Sequence, residues 1–212
     1  MEIRAYSELY IESAQNAIGH MFDFAINELE ISPDEFANLF LCAALSKEIE
    51  RGNPKYVAGS TGPELARAVL DSVGISYKKA EDVMYADRSP EYWAGWVLAY
   101  YQWYRNYSFG YILKAVPFSQ LLIMYHVYHE MDIMKFVETM DEKLQSFYPE
   151  TALRRRRELL GLSQRQLSDK AGVPLRQIQL FEQRQRDITK AQAFTLLKLS
   201  KVLLCNIEDL ML

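Results

Sequence analysis

Gly161-Leu162-Ser163-Gln164-Arg165-Gln166-Leu167-Ser168-Asp169-Lys170-Ala171-Gly172-Val173-Pro174-Leu175-Arg176-Gln177-Ile178-Gln179-Leu180-Phe181-Glu182 contains two short helix signals with a turn between them. Ser163 offers a side-chain cap to a helix over Gln164 to Lys170. Gly172-Val173-Pro174 then makes a tight turn into a second helix, Leu175 to Glu182. Upstream, Leu153, Leu159 and Leu160 line a further helix that ends at Gly161. Two helices of about eight residues joined by a Gly-containing turn form a helix-turn-helix, whose second helix enters the DNA major groove.

The surroundings of this stretch differ from the rest of the chain. The 212 residues carry a net charge of −4, which taken alone argues against nucleic acid. Residues 1–148 hold 12 Lys+Arg against 21 Asp+Glu, whereas residues 149–212 hold 12 against 7. A charge of −9 is thus joined to one of +5, and 25 of the 27 aromatics lie before Pro149. Opposite charge and unlike composition predict two domains, 1–148 and 149–212, joined by the short, apolar and therefore rigid Phe147-Tyr148-Pro149-Glu150. Arg154, Arg155 and Arg156, with Arg184, Arg186 and Lys190, cluster around the helix-turn-helix and are suited to phosphates.

Gly161-Leu162-Ser163-Gln164 with Ala171-Gly172-Val173, followed by Ile178 and Phe181-Glu182, resembles the Cro and phage-repressor (XRE) helix-turn-helix family. The resemblance spans about sixty residues and implies a five-helix domain that closes with Ala191 to Leu203 and Asn206 to Leu210. It also implies sequence-specific DNA binding, with Gln164 on phosphate and bracing the recognition helix. Leu175, Arg176, Gln177 and Gln179 take the positions that face bases or backbone. Arg176 suits guanine O6 and N7, Gln179 adenine N6 and N7, and Leu175 a thymine methyl. Arg157 and Glu182 match a buried family ion pair, and Ala171, Val173, Ile178, Phe181 and Leu196 match its core. Two positions depart from the pattern: Pro174 replaces a Ser or Thr cap, and Arg184 stands where Gly is usual.

The first 148 residues read as helices, with no sustained period-2 alternation and no hairpin signal. One apolar face, Leu9, Ile11, Ala14, Ile18, Met21, Phe22, Ala25 and Leu29, predicts a helix over Ser7 to Leu29. Ser32-Pro33-Asp34-Glu35 starts a second, running to about Glu50, which Arg51-Gly52-Asn53-Pro54 stops. Further starts are Ser60-Thr61-Gly62-Pro63-Glu64, Ser89-Pro90-Glu91 for a helix to Arg105, Ser108, Pro117 and Asp132, the last for Ile133 to Gln145. The expected fold is all-α: an N-terminal helical bundle plus the C-terminal helix-turn-helix domain.

Tyr92-Trp93-Ala94-Gly95-Trp96-Val97-Leu98-Ala99-Tyr100-Tyr101-Gln102-Trp103-Tyr104 places Trp93, Trp96, Tyr100 and Trp103 or Tyr104 on one stripe, flanked by Tyr101. Ala94, Gly95 and Ala99 allow close approach of another helix. The stripe reads as the core helix of a bundle, with a partner surface or ligand pocket as the alternatives. His126 and His129, with Glu130, have no second ligand pair, so no metal and no cofactor are expected. No phosphate loop, nucleophile elbow or His-Glu-x-x-His is present, so no enzyme activity is expected. The polar loop Asn53 to Gly62 is a further contact candidate.

No apolar run approaches the roughly 20 residues a bilayer requires. The N-terminus, with Glu2 and Glu8, has no leader-like apolar region. Cys42 and Cys205 form no metal or redox spacing and suit a reducing cytoplasm, the expected location. Met21-Phe22-Asp23-Phe24-Ala25, Glu50-Arg51-Gly52-Asn53-Pro54-Lys55-Tyr56 and Tyr92 to Tyr104 resemble a group of bacterial helix-turn-helix proteins encoded beside small toxin candidates. That resemblance implies an antitoxin, in which one domain masks a cognate toxin and the other represses the operon. The expected partners are a double-stranded DNA operator, a second copy of the chain, by half-site geometry, and the toxin. The alternative is a repressor that responds to a small molecule held by the aromatic helix.

Overall fold

The computed structural model describes residues 4–82 and 88–211. Glu2, one of the two acidic residues that argue against a leader, lies outside them. All regular structure among the described residues is helical. The chain divides into two compact units, Met1–Gln145 and Ser146–Leu212.

The first unit contains helices α1 (Ile11–Asp23), α2 (Pro33–Cys42), α3 (Ala44–Glu50), α4 (Pro54–Val57), α5 (Gly62–Ser72), α6 (Pro90–Arg105), α7 (Phe109–Ala115), α8 (Phe118–Tyr128) and α9 (Ile133–Phe147), whose last turn extends past Gln145. Their starts are written in side chains. Thr61 and Glu64 form a reciprocal capping box, while Ser89 and Ser108 accept the Tyr92 and Tyr111 amides. Asp132 likewise accepts from Met134. Pro33, Pro63 and Pro90 occupy first-turn positions where a missing N–H costs nothing.

The core of this unit is aromatic. Phe22 stacks on Phe118 with ring centroids 4.0 Å apart and meets Phe36 and Phe40 edge-on. α1 and α6 cross at very short range, because a Cβ on Gly95 would lie 2.8 Å from the Ile18 carbonyl oxygen. The small residues of the aromatic helix therefore do what their size allows.

Three local expectations are corrected. The first helix begins at Ile11 after a 3₁₀ turn, so Leu9 lies outside the apolar face and is 88% exposed. It ends in a π turn, Phe24–Glu28, where the Leu29 amide bonds the Phe24 carbonyl five residues back. The run from Pro33 to Glu50 breaks at Ala43, which is extended (ψ 135°) and accepts both the amide and the hydroxyl of Ser46. Ala is a strong helix former, so packing rather than propensity makes that bend. The Asn53 to Gly62 loop holds the short α4, capped by the Asn53 side chain.

The second unit contains α10 (Ala152–Leu159), α11 (Gln164–Ala171), α12 (Leu175–Glu182) and α13 (Ala193–Val202). Leu153, Leu167, Ile178, Phe181 and Leu199 build its core with Val173 and Leu203, and Ala171 and Leu196 are buried as well. Leu159 and Leu160 do not line the packed face of α10, being 80% and 41% exposed. Six residues at roughly 100° each carry Leu159 well round the helix from Leu153, and Leu160 falls beyond its last turn. The closing element expected over Asn206 to Leu210 is a single 3₁₀ turn, Glu208–Leu210, which buries Leu210.

Candidate nucleic-acid interface and an aromatic cavity

In the second unit, α11 and α12 are held at a fixed turn. Ser163 accepts the Gln166 amide, and the Gln166 side chain accepts the Ser163 amide in return. Gly172 ends α11 in the left-handed region (φ +58°), and the Ser168 hydroxyl donates to the Val173 carbonyl at 2.7 Å. Pro174 precedes α12 without a side-chain cap, its fixed φ of −54° serving as the helix entry.

The recognition helix is locked from behind. Arg157 donates from Nε and Nη2 to the two Glu182 oxygens at 2.6 and 2.9 Å, and from Nη1 to the Leu162 carbonyl at 2.8 Å. Gln164 donates to the same Glu182 carboxylate at 2.8 Å. The Glu182 hydrogen bond outweighs burial and holds the Arg157 guanidinium above its ordinary pKa.

With Ile178 and Phe181 turned into the core, the remaining faces of α12 carry the expected base-facing residues. Arg176 is exposed, with no carboxylate partner among the described residues, and Leu175, Gln177 and Gln179 are half-buried. The surrounding cations differ in how far they are already neutralised. Arg154 pairs with Glu150 and Glu158, Arg156 with Asp209, and Lys190 with Asp187. Arg155 lies over the Tyr148 ring and Arg186 over the Phe181 ring, neither with a carboxylate partner among the described residues. Arg184 adopts φ +55°, the conformation that Gly would take without cost, and its guanidinium donates to the Tyr148 carbonyl at 2.7 Å. That bond was invisible in the sequence, because the partner is a backbone atom 36 residues away.

In the first unit the aromatic stripe of α6 separates into three parts. Tyr101 and Trp103 are buried and serve packing, the Tyr101 hydroxyl donating to Asp141 and the Trp103 indole to the Tyr6 carbonyl. This takes both out of the partner or ligand set, since their polar tips are satisfied inside the unit. Tyr100 and Tyr104 stack on each other, half-buried, and the Arg4 guanidinium lies 3.7 Å from the Tyr104 ring centre. Trp93 and Trp96 line a cavity of about 460 Å³, with Tyr125, Tyr128 and Phe136 completing its aromatic walls.

Those last three residues were missed at the sequence level. Tyr125 and Tyr128, three apart on α8, were the available signal. His129 stacks on Tyr125 and bonds its carbonyl. Among the described residues no three His, Cys, Asp or Glu side chains gather as a metal set, and no helix is long and apolar enough to cross a membrane.

Residues 153–210 match the helix-turn-helix family, the same segment that carries the Arg157–Glu182 lock. No curated protein and no solved structure matches the chain. The C-terminal unit is thus an XRE-type helix-turn-helix, and the chain is a DNA-binding regulator of transcription.

Proposed function

We propose that this chain is an operator-specific repressor and the antitoxin of a bacterial toxin–antitoxin pair. Residues 149–212 bind the operator as a homodimer, and residues 1–148 mask the toxin. The observation that carries the DNA part is the braced recognition helix, which leaves Arg176 exposed while Glu182 anchors its far end to Arg157 and Gln164. Arg176, Gln177, Gln179 and Leu175 read bases. Gln164, Arg154, Arg155, Arg156, Arg184, Arg186 and Lys190 supply phosphate contacts, strongest from Arg155 and Arg186, whose charges no carboxylate among the described residues offsets.

The partner role is supported by the resemblance of the first 148 residues to antitoxin-like proteins and by their charge of −9, which favours a basic partner. Co-expression with the neighbouring gene tests it. A complex that survives gentle purification and shields the toxin is the expected result; a chain that purifies alone beside a soluble toxin counts against it.

A second reading, a ligand-responsive repressor, is favoured by one observation, the cavity walled by Trp93 and Trp96.

A further inference from the structure

The cavity of the first unit has a one-sided polar chemistry. Its walls are aromatic and aliphatic: Trp93, Trp96, Tyr125, Tyr128 and Phe136, with Val97 and Ile133. Trp93 meets Tyr125 and Phe136 edge-on at 5.6 and 5.7 Å, so these rings form a packed wall rather than a loose patch. Among the described residues no Asp or Glu lines the cavity, although residues 1–148 carry a charge of −9. Arg88 is among its lining residues, its guanidinium over the Tyr92 ring at 5.1 Å and its charge felt at His20 as well. Arg88 forms no ion pair among the described residues, and Asp23, whose charge is felt at Tyr92 together with that of Arg88, is bonded to Asn27 and Ser89.

The indole N–H groups of Trp93 and Trp96 make no hydrogen bond among the described residues. The Tyr92 and Tyr128 hydroxyls are engaged with Asn16 and Thr139. His129 is occupied as well, by the Tyr125 carbonyl and Glu130. Among the described residues the open polar groups are thus the two indole N–H groups, Arg88 and the Tyr125 hydroxyl, three of the four being donors only, in a cavity whose volume suits a molecule of two fused rings.

We propose that this cavity binds a planar aromatic carboxylate, its rings against the Trp93, Trp96 and Tyr125 side chains and its carboxylate on Arg88. The proposal rests on the second reading above and names its ligand class. A cationic ligand, which aromatic walls alone would suit, is disfavoured by Arg88 at the site.

Three probes of one shape decide it on the full chain by calorimetry: 2-naphthoate, its neutral amide and 2-naphthyltrimethylammonium. The carboxylate is expected to saturate one site and to bind about tenfold or more tighter than the amide, as a charge-assisted hydrogen bond predicts. Arg88→Gln, at an exposed position, should bring the carboxylate down to the amide's affinity and leave the amide unchanged, while Trp96→Ala weakens both. Absence of saturable carboxylate binding, equal or tighter binding of the cation, or a carboxylate affinity indifferent to Arg88→Gln would each overturn the proposal. Operator affinity measured with and without saturating carboxylate separates the two levels. Binding with unchanged operator affinity sustains the site and sinks the ligand-responsive repressor; loss of operator affinity with the cation alone sinks the ligand class and leaves that reading intact.

Discussion

Arg157 and Glu182 join the first and third helices of the helix-turn-helix unit across 25 residues, through paired contacts of 2.6 and 2.9 Å, with side chains only 9% and 2% exposed. A pair this dry is costly to break, because removing Arg157 strands the Glu182 charge away from water, and removing Glu182 leaves the buried guanidinium only the more exposed Glu158, 3.3 Å from its Nη2, as a carboxylate partner among the described residues.

Glu182→Ala is accordingly expected to destabilise the C-terminal unit by about 3–5 kcal/mol, and to release Gln164 as well. All three Trp residues lie in the first unit, so unfolding of the second should appear in far-UV circular dichroism while Trp fluorescence stays native. Replacing both partners, Arg157→Leu with Glu182→Leu, should cost less than either single change. Additive losses would show that the pair is not coupled.

The recognition helix gives a prediction on sequence preference. Arg176→Ala should cost roughly 1–3 kcal/mol on the preferred operator and little on random DNA. Arg186→Ala should weaken all sequences about equally and lower the salt slope by about one. Equal losses on every sequence for both variants would contradict base reading by Arg176.

Gly95 is where α6 meets α1. In Gly95→Ala the new Cβ would press on the Ile18 carbonyl and the Gly19 Cα, both backbone atoms that cannot rotate away. A loss of about 1–3 kcal/mol follows, confined to the transition seen by Trp fluorescence. DNA binding measured below that transition should be unaffected.

Alkaline pH should act on the first unit through Tyr6 and Tyr101. Burial, joined at Tyr101 by the Asp141 charge, raises both hydroxyls above their ordinary value of 10.0. In the unfolded chain they ionise first, so their contribution to stability is complete below pH 10 and falls as the pH rises beyond it. The expected slope approaches about 1.4 kcal/mol per pH unit for each group. The Tyr6 hydroxyl is buried with no hydrogen-bond partner among the described residues. Tyr6→Phe should thus reduce the slope without lowering stability at pH 7, as thermal unfolding at pH 8 and pH 11 will report.

Much of the C-terminal unit was legible because its signals are local. Ser163, Gly172 and Pro174 act on their own neighbours, and the helix over Leu175–Glu182 lies where those residues put it. The Ser-Pro-acid starts of the first unit were readable for the same reason. Leu9 and Leu159 misled because periodicity marks a face without saying where a helix begins or what covers it. Leu9 precedes α1, and Leu159 lies on the side of α10 away from Leu153.

What the sequence by itself determined is the helical class, the separation of acidic from basic residues, and the helix-turn-helix with its arginines, since each follows from composition or from contacts a few residues apart. Tertiary structure alone decided the bend at Ala43, the bond from Arg184 to the Tyr148 carbonyl, and the gathering of Arg88, Trp93, Trp96, Tyr125 and Phe136 around one cavity. The physical reason is common to all three. Each depends on backbone or ring surfaces brought together from distant segments, and the chemistry of such a meeting is not carried by any one of the residues that make it.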